Sequence, residues 1–348
     1  MNDSFLSSDD RKESFTTSAS PLVLTARRAH AEAMISTADV ELAAARIRGR
    51  VRRTPVFAAD DDVWFKLEQL QHTGSFKARG AFNRIIAAGE LSAAGVVAAS
   101  GGNAGVAVAH AAREFGLAAR VFVPATAPVV KVAKLRQLGA AVELAGEKYA
   151  EAYDAAVKHA ADSGALFCHP YDQPDICAGQ GTLGLELLEQ AGEPDTILVA
   201  VGGGGLLAGI AAAVEGRARV VGVEPRTCPT LNAALAAGAP VPVEVSGVAA
   251  DSLGAPRLGD IAFAVATRTG AGSVLVDDTT VIEARAALWD RYRLAVEPGG
   301  ATAFAALLGG AYRPAPGERV AVVLCGANTD PATLTSPSAA PPAARTAR

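Results

Sequence analysis

The sequence from Thr196 to Val214 reads TILVAVGGGGLLAGIAAAV. It carries no charged residue over a length that would cross a bilayer, but four consecutive glycines interrupt its first half. Such a run is typical of a tight turn between a buried strand and an apolar helix. Four backbone N–H groups without side chains can also close around one phosphate. We therefore predict a strand, a phosphate-sized turn and a helix here rather than a membrane span.

Strand-like and helix-like segments alternate on both sides of this stretch. Helix-length segments such as Gly105–Phe115 and Tyr149–Ser163 lie between short apolar runs, and a capping signal at Ser36–Asp39 starts a further helix. The apolar runs predicted as strands are Val63–Leu67, Val96–Ala99, Arg120–Val123, Ala141–Leu144, Ile197–Val201, Val220–Val223 and Val320–Leu324. The alternation predicts an α/β fold whose largely parallel sheets are flanked by helices and bind ligands at the carboxyl ends of strands.

Composition limits the class of partner. The 348 residues are 50% hydrophobic and 20% charged, which is sufficient for a large core and two lobes. The formal net charge is -4, without a basic stripe, so we expect a small-molecule partner and neither nucleic acid nor membrane. The four cysteines lack metal or disulfide spacing, which fits a cytoplasmic protein. Residues 1–35 are predicted as a mostly disordered leader and residues 332–348 as a disordered tail.

Two lysines are candidates for a reactive amine. The run Phe65–Leu70 (FKLEQL) is followed by Thr73–Gly80 (TGSFKARG), and these segments contain Lys66 and Lys77. An amine attacks an aldehyde only when it is neutral, and burial together with the positive end of a helix favours the neutral form. The predicted helix start at Lys77 provides that setting. The alternative interpretation is a solvated lysine at a helix start.

Two more turns follow predicted strands. The first turn lies within Ala99–Gly105 (ASGGNAG) and opens a helix. Its N–H groups form a nest suited to a carboxylate, and the Asn103 amide is available to a phenolic oxygen. The second begins at Cys325, which by itself is typical of a buried small hydrophobic residue. The glycine run also partly matches a dinucleotide fingerprint from Gly202 to Leu207, but the third glycine is missing. A nicotinamide enzyme is therefore an alternative.

Taken in order, these segments resemble the fold-type-II pyridoxal-phosphate enzymes and, within them, the serine/threonine dehydratases. The resemblance runs from about Ser36 to Asn328. It also covers short motifs at Thr54–Pro55, His169–Tyr171, Ala178–Thr182, Gly222–Pro225 and Glu297–Ala301. The occurrence of all these motifs in the same order identifies the family more specifically than any single motif does.

The resemblance implies a two-lobed fold similar to that of the tryptophan synthase β chain. The large cofactor-binding domain would comprise residues 36–96 plus 173–331, and a small mobile domain would comprise residues 97–172. Members of the family also imply a homodimer or a higher homo-oligomer. The expected cofactor is pyridoxal 5'-phosphate, and the expected partner is an amino-acid substrate.

The resemblance further implies a role for each site residue. Lys77 would bind the cofactor as a Schiff base and act as the catalytic base, while Phe76 would lie against the ring. Asn103 would bond the ring hydroxyl, and Cys325 would lie at the pyridine nitrogen. The implied phosphate ligands are Gly202, Gly203, Gly204, Gly205 and Leu206. The implied site for the substrate carboxylate consists of Ser100, Gly101, Gly102, Asn103 and Ala104.

The implied reaction is β-elimination, which would convert L-threonine to 2-oxobutanoate or L-serine to pyruvate, with release of ammonia. Serine racemases carry a serine on the cofactor face opposite the lysine, and Gly101 at the matching position favours elimination. Ala104 replaces a histidine of many relatives, so the carboxylate would meet only backbone there. The alternatives are a threo-3-hydroxyaspartate dehydratase, a serine racemase, a threonine synthase and a catalytically weak protein that only binds the cofactor.

A cation site is the last implied feature. In metal-binding members, a glutamate after the Gly-Val strand binds the ion together with a carbonyl group and a downstream acidic residue. Glu224 is the candidate ligand here for Mg²⁺, Ca²⁺ or K⁺, but Cys228 and Thr230 occupy the later positions, so one anionic ligand is missing. The segment Ala249–Ala255 departs from the family pattern and is expected to face the β-carbon of the substrate.

Overall fold

The computed structural model describes residues 35–334, in which strands and helices alternate as predicted. The strands are Val56–Asp60 (β1), Val63–Lys66 (β2), Val96–Ala99 (β3), Ala119–Val123 (β4), Ala141–Leu144 (β5), Leu166–Phe167 (β6), Thr196–Ala200 (β7), Arg219–Pro225 (β8), Gly272–Val276 (β9) and Val320–Val323 (β10).

The α-helices are Thr37–Ile47 (α1), Lys77–Ala87 (α2), Asn103–Glu114 (α3), Val129–Gln137 (α4), Tyr149–Ser163 (α5), Pro174–Ala191 (α6), Gly205–Ala213 (α7), Thr230–Ala237 (α8), Ala250–Leu253 (α9), Asp260–Thr269 (α10), Asp278–Tyr292 (α11) and Pro298–Leu308 (α12). Short 3₁₀ helices occupy Glu68–Leu70, His72–Gly74 and Pro331–Leu334. Within residues 35–334, no helix is both long enough and apolar enough to cross a bilayer.

The strands form two sheets. One has six strands in the order β1-β2-β10-β7-β8-β9, and the other has four in the order β5-β4-β3-β6. The paired strands are parallel apart from β1 and β2, so the predicted α/β fold with parallel sheets is confirmed. The sequence prediction missed β1, β6 and β9, and all three are edge strands. An edge strand is less enclosed, so it lacks the continuous apolar run that reveals a central parallel strand.

Two apolar clusters of the core pack against the two sheets. One joins the six-stranded sheet to α11 and α12 and includes Phe65, Leu198 and Phe304. The other joins the four-stranded sheet to α2 and α3 and includes Phe82 and Val121. Each such side chain contributes about 1.5–3 kcal/mol when it is fully buried. The two clusters therefore fix the sheets on which the site is built.

Neighbouring strands bring the predicted motifs to one edge of the six-stranded sheet. β10 lies between β2 and β7, with Val322 opposite both Phe65 and Leu198. Because parallel strands end at the same edge, Cys325 after β10 lies beside the glycine turn that follows β7. The chain leaving β2 leads through two short 3₁₀ helices to Lys77 at the start of α2.

A close helix crossing places the helix that follows the glycine turn. A Cβ atom on Gly209 of α7 would lie 2.3 Å from the Cys177 carbonyl oxygen and 2.4 Å from the Gly181 nitrogen of α6. No side chain fits at that distance, so glycine at both positions lets the two backbones touch. α6 also packs against α2, and it thereby connects the glycine turn to the helix that begins at Lys77.

The predicted helix start at Ser36 is confirmed, whereas the predicted start of the tail is too early. The capping box at Ser36 is present, with the Ser36 backbone nitrogen donating to the Asp39 carboxylate at 2.8 Å. Most of the predicted leader (1–34) and most of the predicted tail (335–348) lie outside the described residues. Leu334 is buried in the 3₁₀ helix Pro331–Leu334, so packed chain extends past the predicted start of the tail at 332. The strands of the four-stranded sheet fall within 96–167, and the mobility of the segment 97–172 stays a prediction.

Candidate active site

Lys77 is the first residue of α2 and lies in a small cavity of about 40 Å³. The glycine turn Gly202–Gly205 and Cys325 line the same cavity. The Lys77 Nζ atom donates to the Pro170 carbonyl oxygen at 2.6 Å and lies 4.8 Å from the centre of the Phe76 ring. Burial lowers the pKa of Lys77 to about 8, so a useful fraction of the amine is neutral near physiological pH.

Lys66, the other candidate, lies outside this cavity. Its Nζ atom donates to the Thr54 carbonyl oxygen, to the Glu186 carboxylate and to the Gln190 amide oxygen, each at 2.7 Å. These acceptors use all three ammonium hydrogens. The Lys66 side chain is fully buried among them, so its role is structural.

A buried ionic cluster beneath Lys77 anchors the start of α2. The Arg79 guanidinium group donates to Glu68 at 2.6 and 3.0 Å and to Glu186 at 2.8 and 2.9 Å. It also donates to the Thr182 hydroxyl oxygen at 3.1 Å. Paired forks of this kind fix orientation as well as distance. Since Arg79 is two residues from Lys77, the cluster holds the first turn of α2 in place.

The glycine turn is shaped by contacts that exclude side chains. Gly204 has φ +86°, and a Cβ atom on Gly203 would lie 2.2 Å from Cγ of Tyr171. A Cβ atom on Gly205 would lie 2.5 Å from the Tyr171 carbonyl oxygen. α7 begins at Gly205, and its N-cap residue, Gly204, has no side chain to cap it. The N–H groups at this positive helix end can therefore bind an anion.

Cys325 lies at the carboxyl end of β10 and is almost completely buried. Its Sγ atom donates to the Gly299 carbonyl oxygen at 3.6 Å. Burial raises the pKa of Cys325 to about 12, so the thiol is neutral at physiological pH. A neutral thiol does not stabilise a positive charge on a neighbouring ring nitrogen as a carboxylate would.

The turn after β3 borders a second cavity of about 680 Å³. Gly101, Gly102 and Asn103 line this larger cavity, and Ser100 and Ala104 flank them in sequence. The Gly102 backbone nitrogen donates to the Ser100 hydroxyl oxygen at 3.2 Å, which tightens the turn. Because α3 begins at Asn103, this turn also presents the positive end of a helix.

Glu297 connects the two cavities, since it lines both. Its Oε1 atom accepts a hydrogen bond from the Asn103 amide at 2.7 Å. Burial raises the pKa of Glu297 to about 7. Asp251 and Ser252 also line the larger cavity, and the expectation that the segment Ala249–Ala255 faces the substrate stays a prediction. No role was predicted for Glu297 or Tyr171, although they belong to the sequence motifs Glu297–Ala301 and His169–Tyr171.

The structure gives Glu224 a different role from the predicted cation ligand. Its carboxylate accepts from the backbone nitrogens of Leu231 at 2.7 Å and Asn232 at 2.9 Å and from the Thr230 hydroxyl at 3.0 Å. These donors belong to the first turn of α8, whose N-cap residue, Pro229, forms no side-chain cap. Among residues 35–334, no group of three His, Cys, Asp or Glu side chains is arranged to hold a metal ion. Glu224 therefore caps a helix, and a cation site at this residue stays a prediction.

The cavity around Lys77 fits pyridoxal phosphate in its donor set. It offers a partly neutral amine for an aldehyde, helix-end N–H groups without side chains for a phosphate, and a neutral thiol for a ring nitrogen. The Phe76 ring and the Asn103 amide line the same cavity. Lys77, Phe76, Asn103, Gly202–Gly205, Leu206 and Cys325 are thus brought together as predicted, and their contacts with a cofactor remain a proposal.

Comparisons with known proteins agree with this geometry. Residues 47–326 match the family described as pyridoxal-phosphate dependent enzyme. The chain is 41% identical to phenylserine dehydratase of Ralstonia pickettii, over 83% of this chain and 92% of that protein. It is 35% identical to L-threonine ammonia-lyase of Thermotoga maritima, over 85% of this chain and 76% of that protein.

Solved structures of related enzymes have the same fold as this chain. Maize serine racemase superposes with a TM-score of 0.81 at 33% identity, covering 87% of this chain and 96% of that one. A threonine deaminase from T.th. superposes with a TM-score of 0.78 at 36% identity, covering 85% of this chain and 99% of that one. The predicted fold-type-II architecture is confirmed, and the nicotinamide alternative is set aside. The chain belongs to the family of pyridoxal-phosphate-dependent enzymes.

Proposed function

We propose that this chain is an ammonia-lyase that removes the β-hydroxyl and α-amino groups of L-threonine, L-serine or both. The products would be 2-oxobutanoate or pyruvate, together with ammonia. The observation that carries the proposal is the amine of Lys77, with its lowered pKa, in one cavity with the glycine turn and the neutral thiol of Cys325. Relatives named for threonine and phenylserine support the same class of reaction.

Bound pyridoxal phosphate supplies an aldehyde that links to amines and a conjugated ring that withdraws electrons from the α-carbon of an attached amino acid. The backbone N–H groups around Gly101 and Asn103 hold the substrate carboxylate at the amino-terminal end of α3. Lys77, once its amine is free, accepts the α-proton on one face of the substrate. Gly101 offers no side chain to return a proton from the other face.

The residues present favour elimination over racemisation. The buried thiol of Cys325 provides no negative charge that would hold a proton on the ring nitrogen. Weak stabilisation of charge at the α-carbon favours prompt loss of the β-hydroxyl over a slow exchange of protons. A serine racemase and a threo-3-hydroxyaspartate dehydratase are the alternative activities of the same fold, and a catalytically weak cofactor-binding protein is the alternative without turnover.

One substrate panel tests the proposal. Purified holoenzyme is incubated with L-serine, L-threonine, their D forms and threo-3-hydroxyaspartate. Ketoacid, ammonia and, from L-serine, D-serine are measured, with Lys77→Ala as the control. We expect equal amounts of ketoacid and ammonia from L-threonine or L-serine, and none from the variant. A bound cofactor with no ketoacid from any substrate would contradict the lyase proposal and favour the weak binding protein. Formation of D-serine without ketoacid would favour a racemase.

A second candidate substrate is a β-aryl hydroxy amino acid. The larger cavity of about 680 Å³ exceeds what a methyl group requires, and Val106 and Val130 add apolar wall beside Gly101 and Gly102. Phenylserine tests this candidate, because its dehydration and deamination yield phenylpyruvate. A kcat/KM for phenylserine above that for threonine would favour the aryl substrate, whereas no turnover of phenylserine would exclude it.

We also propose that the protein is a cytoplasmic homodimer or higher homo-oligomer in which the segment 97–172 closes over the substrate. The described cysteines, all free and buried, are compatible with a reducing compartment. Static light scattering of the holoenzyme measures the oligomeric state, and a monomer at all concentrations would contradict it. Protease sensitivity of the segment 97–172 with and without substrate tests closure, which predicts protection in the substrate complex.

A further inference from the structure

A chain of hydrogen bonds, here named the amide relay, connects the outer wall of the larger cavity to the buried Glu297. It consists of Lys134, Asn328, Asn103 and Glu297. Lys134 Nζ donates to Asn328 Oδ1 at 2.6 Å, and Asn328 Nδ2 donates to Asn103 Oδ1 at 2.7 Å. Asn103 Nδ2 then donates to Glu297 Oε1 at 2.7 Å. These contacts span up to 225 residues of sequence, so they depend on the tertiary fold.

Two partners fix the polarity of the relay. The ammonium group of Lys134 can only donate, so it selects the oxygen of the Asn328 amide. The Thr73 carbonyl can only accept, and it takes Asn328 Nδ2 at 2.8 Å. The chemistry of these two partners therefore fixes which atom of the Asn328 amide is nitrogen. Thr73 holds this carbonyl with a left-handed backbone at φ 63°, a conformation that non-glycine residues seldom adopt.

The fixed orientation passes to Asn103. Because Asn328 presents an N–H group to it, Asn103 must present its oxygen outward and its nitrogen inward. One hydrogen of Asn103 Nδ2 bonds Glu297, and the other is available to a ligand in the cavity that Asn103 shares with Lys77. An available N–H group at this point suits an acceptor such as a phenolic oxygen.

We propose that Lys134 and Asn328 are positioning residues that keep Asn103 a hydrogen-bond donor toward the phenolic oxygen of bound pyridoxal phosphate. This inference rests on the cofactor binding assumed in the proposed function. Lys134 belongs to α4, beside the four-stranded sheet, and Asn328 follows β10 of the six-stranded sheet. The relay thus couples the orientation of Asn103 to the contact between α4 and the segment that follows β10.

Substitutions that change donor character without changing the core test the inference. Lys134 is exposed, so Lys134→Met removes the donor with little effect on folding, and Lys134→Arg restores a donor of the same charge. Asn328→Asp puts an acceptor against the Thr73 carbonyl and the Asn103 oxygen. Arg136→Met is the matched control, because it removes an exposed charge from the same helix outside the relay.

The readouts are the dissociation constant for pyridoxal phosphate, by titration of the apoprotein, and the position of the visible absorbance band of the holoenzyme. We expect Lys134→Met to raise the dissociation constant about fivefold and to shift the band, because Asn328 then has only the Thr73 carbonyl to orient it and Asn103 donates less consistently to the cofactor. Asn328→Asp should raise it by more than about tenfold, because it leaves acceptors facing each other. Lys134→Arg and Arg136→Met should match the unsubstituted chain in both readouts.

Three results would overturn the inference: wild-type affinity and absorbance in both Lys134→Met and Asn328→Asp, a Lys134→Arg variant as weak as Lys134→Met, or the same changes in Arg136→Met. In the last case a general loss of charge would be responsible rather than the relay. If the unsubstituted chain itself failed to bind pyridoxal phosphate, the proposed function would fail together with the relay, and the titration separates that result from the other three.

Discussion

The substitution Gly203→Ala probes the glycine turn, because its new Cβ atom would lie 2.2 Å from Cγ and 2.4 Å from Cδ1 and Cδ2 of Tyr171. Ordinary contact begins near 3.4 Å, so either the ring or the turn must move by about 1 Å. If the turn moves, at least one N–H group leaves the phosphate. A hydrogen bond to a charged group contributes about 1.5–3 kcal/mol, so the dissociation constant for pyridoxal phosphate should rise roughly 10- to 100-fold.

The assay is titration of the apoprotein with pyridoxal phosphate, with thermal unfolding to verify the fold. Gly272→Ala is the matched control, because its Cβ atom would meet Val221 at an ordinary 3.5 Å, and it should bind the cofactor normally. In a Tyr171→Ala background the clash is absent, so Gly203→Ala should weaken binding by less than about threefold. The reasoning is refuted if Gly203→Ala binds like the unsubstituted chain, or if its effect is equally large with and without the Tyr171 ring.

Three further predictions concern the charged groups. Arg79→Met leaves Glu68 buried without its cation, so the free energy of unfolding, measured by chemical denaturation, should fall by about 3–5 kcal/mol; a change below about 1 kcal/mol would contradict this. Lys66→Met should also lower the free energy of unfolding, because Glu186 loses a partner. Mass spectrometry should still find the cofactor attached to this variant. If the cofactor were no longer attached, Lys66 rather than Lys77 would be the reactive amine. Because burial lowers the pKa of Lys77 to about 8, the neutral amine fraction rises with pH through 8. The rate at which apoprotein captures the cofactor should therefore rise through pH 8 and then level off, whereas an amine of ordinary pKa 10.5 would show a rate still rising well above pH 8.

Local signals were sufficient to predict the parts of the site that consist of consecutive residues. The glycine turn and the turn before Asn103 each follow a buried strand and precede a helix, so their geometry depends mainly on their own residues. The place of Cys325 in the site was implied only by the family resemblance, and the structure explains it because β10 and β7 are neighbouring parallel strands that end at one edge.

Long-range contacts could not be predicted in the same way. The predicted helix start favoured Lys77 over Lys66, but the structural role of Lys66 depends on two acceptors that lie 120 and 124 residues away on α6. The Glu297 contact with Asn103 spans 194 residues. No periodicity or spacing records such a contact, so residues of this kind emerge only when the tertiary structure is known.

The cation site at Glu224 stays a prediction, and the contacts of the Glu224 carboxylate show what local sequence signals left out. A glutamate at a strand end matches a metal ligand by type and position, but the start of α8 at Thr230 was not predicted. Because that helix begins 6 residues after Glu224, its free N–H groups occupy the Glu224 carboxylate. Burial raises the pKa of Glu224 to about 7, which also makes it a weaker ligand for a cation near neutral pH.

Chemical trapping determines whether the Lys77 amine holds the cofactor. Holoenzyme is reduced with borohydride, which makes the link to the amine permanent, and its peptides are then mapped by mass spectrometry. We expect the pyridoxyl mass on the peptide that contains Lys77, and no labelling in Lys77→Ala. A label on Lys66 or on another lysine, or unchanged labelling and ketoacid release in Lys77→Ala, would contradict it.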